Sequence, residues 1–405
     1  MSGTTHVGAR REFAESWPVV LAAALAISVG MTGIGFYSLG LFVKPLQEEF
    51  GWSRAAVSGA ATFQQFGIFL SAPLVGRLAD RIGARKIAIT SYIATPLALV
   101  ALAQAGPSVP AWYALWLMVS LAGCGTTPAI WARVVSLRFD NARGLALGLM
   151  LVGTGVAAVL APALLGPVFV EYGWRNAVLT MAAVTLAIGL PVSLLMGRER
   201  VADPALPPRA RGHFEMNRAT AMLVVVAVLL GAFVAGLIVH LVPMLVDRGV
   251  DAGSAARVAA TVGVAVLIAR VVVGYLFDRF HAPYVAALFL LSPVIASLIL
   301  WGGGPVVPAA MLLGLAAGAE VDMLAYFTSR YAHMENYGAT YGVILGLFSF
   351  GAGCGPLLFG ISVDFTGSYQ FILLVSALVL LAVVGMIVAL GPYRHVKAAA
   401  VLTAS

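Results

Sequence analysis

Leu378-Val379-Leu380-Leu381-Ala382-Val383-Val384-Gly385-Met386-Ile387-Val388-Ala389-Leu390 carries no charge, no polar side chain and no alternation. A membrane barrel strand alternates apolar and polar residues, so this run excludes that form. A helix satisfies its backbone groups internally, as hydrocarbon demands. Roughly 20 residues cross about 30 Å of hydrocarbon. Working outward, the chain divides into twelve such segments: 18–43, 55–75, 87–106, 111–137, 143–168, 174–196, 219–246, 254–276, 284–301, 305–331, 339–362 and 368–391. With 61% hydrophobic and 10% charged residues among 405, the chain cannot hide its apolar surface in one soluble core. It uses the lipid bilayer as solvent. The expected fold is an all-α membrane protein of twelve transmembrane helices.

The net charge of +7 is placed unevenly. With both termini inside, the cytoplasmic segments hold 17 of the 24 Lys and Arg residues, including Arg10, Arg11, Arg77, Arg138, Arg209 and Arg330. The outer loops hold five: Lys44, Arg54, Arg175, Arg248 and Arg257. Arg133 and Arg270 make up the rest. This bias predicts cytoplasmic termini and an even number of spans. No segment is long enough to present a basic patch to nucleic acid. The first 17 residues are polar and short, so no cleavable signal is expected. Cys124 and Cys354 sit far apart in apolar segments and read as packing residues, not as a disulfide or metal site.

The second six segments retrace the first, so the twelve helices form two pseudo-symmetric six-helix bundles. At an offset of 198, Pro45 matches Pro243, Gly51 matches Gly249, Gly76 matches Gly274, and Asp80-Arg81 matches Asp278-Arg279. Gly144, Gly148, Gly153 and Gly155 match Gly342, Gly346, Gly351 and Gly353. Small residues at these spacings let helix backbones approach closely. The expected organisation is an N-terminal tail (1–17), a six-helix bundle (18–196), a linker rich in Arg and Pro (197–218), a second bundle (219–391) and a C-terminal tail (392–405). Repeated bundles of this kind build solute sites near the membrane midplane.

Between the second and third segments stands Gly76-Arg77-Leu78-Ala79-Asp80-Arg81-Ile82-Gly83-Ala84-Arg85-Lys86. This loop resembles the G-x-L-a-D-r-x-G-r-[KR] signature of the major facilitator superfamily, lacking only the first of the usual paired basic residues before Arg85. The resemblance implies a cytoplasmic gate of Gly76, Asp80, Arg81, Gly83, Arg85 and Lys86, with Asp278 and Arg279 at the equivalent place in the second half. Asp80 near a helix N-terminus meets a favourable dipole, and the arginines can bridge to the facing half. Gly40-Leu41-Phe42-Val43-Lys44-Pro45, Tyr172-Gly173-Trp174-Arg175 and the stretch Gly318 to Tyr326 are similar to the monocarboxylate-porter branch and its bacterial relatives.

A charge inside a transmembrane helix costs a few kcal/mol, so each one asks for a reason. Arg270 lies well inside the eighth span and offers a planar fork for a carboxylate. The resemblance implies a substrate-carboxylate or coupling role for it; the alternatives are a structural ion pair or an arginine reaching the interface. The branch's usual aspartate four residues earlier is Val266 here, and its first-span lysine is replaced by Tyr37, so a lactate-type mechanism does not transfer unchanged. Glu320 and Asp322 in the tenth span are candidates for the missing acid. They are 200° apart on a helix, so one is expected to face the cavity or Arg270 and the other to brace a neighbouring helix. His240 reads either as a packed, hydrogen-bonded histidine or as an outer proton or substrate contact. Tyr37 and Tyr326 are candidate substrate contacts. Ser28 and Thr32, with Ser58, Thr62 and Gln65, form polar stripes that either line a cavity or join helices.

The expected function is a secondary transporter of a small organic anion, a monocarboxylate, coupled to protons or to a counter-anion. It is expected to act as a monomer, without cofactor or metal, in a bacterial inner membrane. A drug or neutral-solute exporter is the alternative within transport, and a non-transporting sensor is the alternative outside it. The chain has no Walker loop, metal-spaced His cluster or nucleophile elbow, so an enzyme is not expected.

Overall fold

The computed structural model describes residues 2–136, 138–139, 143–196, 214, 216–333 and 336–391. The expected linker at 197–213 and 215 and the C-terminal tail at 392–405 lie outside the described residues, as do the side chains of Asp80, Arg81 and Asp278. Among the described residues the chain is helical and no strand occurs. Among the described residues nine helical stretches are long and apolar enough to cross a membrane, two of them 39 and 50 residues long, and Val109–Ala122 is a shorter apolar helix.

The first half comprises α1 (Ser2–Ser28), α2 (Val43–Phe50), α3 (Arg54–Ile82), α4 (Ala84–Leu102), α5 (Val109–Ala122), α6 (Pro128–Ser136), α7 (Arg143–Val184) and α8 (Leu190–Leu195). The second comprises α9 (Arg218–Asp247), α10 (Ala252–Arg279), α11 (Ala282–Trp301), α12 (Val306–Tyr331), α13 (Tyr337–Thr366) and α14 (Gln370–Val388). The starts of α1 and α9 and the ends of α12 and α14 share one end of the bundle. There Asn217 donates to the Tyr331 carbonyl at 3.1 Å and the Tyr331 hydroxyl donates to the Gly391 carbonyl at 2.6 Å. We call this the near end and the opposite one the far end.

Two expected continuous spans are broken, and a π-turn at Thr185–Gly189 interrupts a third between α7 and α8. A π-turn at Met31–Gly35 and a 3₁₀ turn at Leu39–Phe42 interrupt the first; a 3₁₀ turn at Cys124–Thr126 separates α5 from α6. The breaks touch, and side chains answer the backbone groups they release. Met31 N–H donates to Thr126 Oγ1 at 3.1 Å, Gln64 Nε2 to the Met31 carbonyl at 3.2 Å, and Thr185 Oγ1 to the Val29 carbonyl at 2.9 Å. Broken helices persist at membrane depth only where such partners exist. Conversely, no loop separates residues 168 and 174. Helix α7 runs through them and turns only at Gly173, where φ is 80°, a value that favours glycine.

Between the halves, α3 lies along α13 and α7 along α10. The repeated glycines set this packing. A methyl on Gly153 would stand 2.1 Å from the Ala24 carbonyl oxygen of α1, and one on Gly351 would stand 2.2 Å from the Val228 carbonyl oxygen of α9. Two residues on, Gly155 meets Leu267 of α10 and Gly353 meets Gln65 of α3. One glycine of each pair thus faces its own half and the other faces the opposite half. Lipid offers no hydrophobic drive between helices, so this close van der Waals contact holds the interface.

Candidate functional site

Arg270 sits at the seam between the halves. Its side chain is 9% exposed. One nitrogen, Nη2, donates to Thr154 Oγ1 of α7 at 3.1 Å. Another, Nη1, lies 3.6 Å from Asp322 Oδ2 of α12, close enough for ion pairing and too far for a hydrogen bond. Among the described residues Nε and Nη1 have no hydrogen-bond partner though buried, and the same holds for Glu320 Oε2. Tyr37, from the broken first span, lies within electrostatic reach of both Arg270 and Glu320. Three helices and one helix break therefore bring together a cation with two unsatisfied donors, two carboxyls and a phenol. A buried unsatisfied donor costs roughly 1–3 kcal/mol; a ligand carboxylate, planar and bidentate, is the group that relieves it best.

At the far end the halves meet again, from α3 to α13 and α9. Asp364, at the end of α13, accepts the backbone N–H groups of Arg54 and Ala55, the first residues of α3, at 3.0 and 2.9 Å. Arg54 also reaches Asp247 of α9 at 2.6 Å and the Tyr369 hydroxyl at 3.0 Å; Lys44 pairs with the same aspartate. Behind them His240 is fully buried. Its Nε2 lies 2.9 Å from the Pro356 carbonyl and 3.1 Å from Ser58 Oγ, and its Nδ1 lies 2.9 Å from the Tyr369 hydroxyl. A carbonyl only accepts, so Nε2 carries the proton and Nδ1 accepts from Tyr369. Deeper still, Thr62 Oγ1 donates to the Gly353 carbonyl of α13 at 2.7 Å. The first half is stiffened here by Phe42, Trp112, Trp116 and Trp174, whose rings pack at 5.7–6.4 Å.

Residues 25–356 match the Major Facilitator Superfamily. The chain belongs to that superfamily. Among curated relatives, human monocarboxylate transporter 11 is 29% identical over 389 residues, spanning 90% of this chain and 80% of its own length. Bovine monocarboxylate transporter 13 is 28% identical over 387 residues, spanning 92% and 89%. Among solved structures, a mutant of the nucleoside transporter NupG is similar in fold, with a TM-score of 0.77, 14% identity and coverage of 92% and 100%. The chain is thus a transporter of the superfamily, not an enzyme, and an integral, multi-pass membrane protein.

The remaining expected residues fall into separate places on the superfamily frame. Tyr326 does not meet Arg270; its hydroxyl accepts from Arg330 at 3.2 Å and its ring lies 4.9 Å from that of Phe277. Ser28 donates within its own helix, to the Leu25 carbonyl at 2.7 Å. Thr32 Oγ1 is buried without a partner, and half-buried Gln65 packs on Gly353. In the signature loop, Gly83 separates α3 from α4 with φ 88°. Arg85 donates to the Leu194 carbonyl at 2.7 Å, inside the first half and not across to the second. Lys86 is exposed, and exposed Arg279 covers the Tyr275 ring at 4.3 Å. The side chains of Asp80, Arg81 and Asp278 lie outside the described residues, so the expected cytoplasmic gate is described only in part, and Gly76 is placed only as a helical residue of α3. Thr154, Gln64, Asp364 and Asp247 escaped the sequence reading.

Proposed function

We propose that the chain moves a small organic anion, a monocarboxylate, across a bacterial inner membrane by alternating access, coupled to protons or to an exchanged anion. The observation that carries this reading is Arg270, a cation at the seam whose Nε and Nη1 lack hydrogen-bond partners. Its neighbours Glu320 and Asp322 are the groups for proton exchange, and Tyr37 is the uncharged contact beside them. The chain crosses the membrane twelve times: the 50-residue stretch Ala146–Leu195 counts as two spans turning at Gly173, and α3 and the α5–α6 pair supply one each. The far end, poor in Lys and Arg, is the outer face, and both termini are cytoplasmic. Two six-helix bundles, 18–196 and 219–391, rock about the site, as a monomer and without a cofactor. In this state the outer side is shut by Arg54, Asp247, Asp364 and His240.

Uptake of labelled small carboxylates into proteoliposomes tests the reading. Gradient-driven uptake that disappears in Arg270→Ala is expected for a symporter, and uptake that needs trapped anion is expected for an exchanger. Absence of carboxylate flux in folded wild type would overturn the reading in favour of a neutral-solute or drug exporter.

A further inference from the structure

The close seam between α7 and α10 runs inward from the far end. A methyl on Gly166 would stand 2.6 Å from Ala256 Cβ, one on Gly263 2.2 Å from the Val159 nitrogen, and one on Gly155 2.6 Å from Leu267. The bond from Arg270 to Thr154 comes next. At exposed Gly148, about 9 Å further toward the near end along α7, a methyl would meet nothing within 4 Å. The bond therefore lies where the two helices part. One turn earlier on Arg270's own helix stands buried Val266, which offers no acceptor. The acceptor comes from the opposite half instead.

Thr154 suits a cation that must stay available. Its own proton goes to the Leu151 carbonyl at 2.8 Å, so only lone pairs face Nη2 of Arg270. It is neutral, so it fixes the guanidinium without cancelling the charge. Asp322 would do the opposite. It stands 3.6 Å from Nη1, and a shift of less than about 1 Å would give a charge-assisted hydrogen bond. We propose that Thr154 is the positioning residue of the anion site: it anchors Nη2 and holds Arg270 off Asp322, which leaves Nε and Nη1 free for an incoming carboxylate. The inference rests on the carboxylate reading above and adds the residue that keeps the cation ready. Without the Thr154 hydroxyl, Arg270 turns to Asp322, and an anion must displace a carboxylate that is already bonded.

The test uses Thr154→Val, which keeps the shape and removes the hydroxyl, and Thr154→Ser, which keeps the hydroxyl. The first readout is counterflow of labelled acetate, lactate and pyruvate in proteoliposomes. Thr154→Val is expected to raise KM about 10- to 100-fold, the worth of one hydrogen bond to a charged group, and to leave the maximal rate per folded transporter within about twofold. Thr154→Ser keeps the wild-type KM. A role in packing alone would lower the maximal rate at constant KM. In an Asp322→Asn background, Thr154→Val is expected to raise KM less than about threefold, because the carboxylate to which Arg270 would turn is gone. An unchanged KM in Thr154→Val, or an equal rise in both backgrounds, overturns the inference. The second readout needs no substrate. Thr154 and Asp322 share Arg270, so Asp322→Asn is expected to lower the melting temperature in detergent more in the Thr154→Val background than in wild type. Additive losses overturn the inference whatever is carried. Absence of carboxylate flux in wild type would remove the anion reading, whereas a non-additive melting cycle would still leave Thr154 as the anchor of Arg270.

Discussion

Replacing Asp364 with alanine tests whether the far end is a gate. Its carboxylate accepts two N–H groups at the start of α3, those of Arg54 and Ala55. Ser53, on the same chain segment, accepts the third, from Ala56, at 3.1 Å. A helix start leaves four N–H groups without intrahelical partners, and the opposite half here satisfies two of them. Asp364 is exposed, so water replaces its bonds when they break, and their net value is that of a surface cap. Such caps contribute about 0.5–2 kcal/mol, and a negative charge at a helix N-terminus adds about 0.3–1 kcal/mol at low ionic strength. The bonds cross the seam, so their loss falls on the closed form alone. A penalty of about 1–2 kcal/mol moves the closed-to-open ratio about 5- to 30-fold. The probe is Ile238→Cys in a background lacking Cys124 and Cys354, because Ile238 borders a small cavity beneath the closure. A membrane-impermeant maleimide, added outside right-side-out vesicles, is expected to label the Asp364→Ala variant about 5 to 30 times faster. Asp364→Asn, which keeps an acceptor without the charge, falls between, and high salt narrows the differences. A rate within twofold of the parent, in protein that elutes as a single species, refutes the gate, and slower labelling refutes its sign.

His240→Ala leaves the Tyr369 O–H without its acceptor, although that oxygen still accepts from Arg54, and strands the Ser58 hydroxyl and a lone pair of the Pro356 carbonyl. At about 1–3 kcal/mol for each buried unsatisfied group, the melting temperature in detergent should fall by several degrees, with partial recovery in His240→Gln; an unchanged transition would show that the histidine is not a structural link. Asp322→Asn removes the carboxylate 3.6 Å from Arg270, and Glu320→Gln neutralises the second acid. One of the two is expected to lose gradient-driven uptake at least tenfold, equivalent to about 1.4 kcal/mol, while keeping anion counterflow, and intact pH-driven uptake in both would exclude these acids from coupling.

The helices were legible because uncharged, non-alternating runs have one form in lipid. Arg270 was legible because its cost demands a reason. The helix breaks were not, although Gly30, Gly33, Gly35, Gly123 and Gly125 mark them. Glycine is frequent in membrane helices, and among 44 of them a break looks like a packing contact. What distinguishes the breaks is that Thr126 and Gln64 stand ready to bond the released backbone. Arg54, Asp247 and Asp364 read as ordinary loop charges because only the docking of the halves joins them.

The repeat itself shows where such pairings lie. At the offset of 198, α3 maps onto α10 and α7 onto α13, so the α3–α13 and α7–α10 contacts are images of one another. The glycines obey the repeat, as do Asp80-Arg81 and Asp278-Arg279; the polar residues at the two seams break it. Arg270 corresponds to Ala72, Thr154 to Ala352, Thr62 to Ala260 and Glu320 to Ala122. A duplicated frame needs the same close contacts in both copies, hence the shared glycines. A binding site and a gate are each needed once, and a polar group without its partner costs stability in the copy that does not use it. Alanine in the image position is the inexpensive solution, so a polar residue facing alanine across the repeat marks chemistry that belongs to one seam only. By that criterion Arg270 and Thr154 mark the α7–α10 seam as the place of the proposed anion site, and Thr62 marks the α3–α13 seam as the place of the proposed gate.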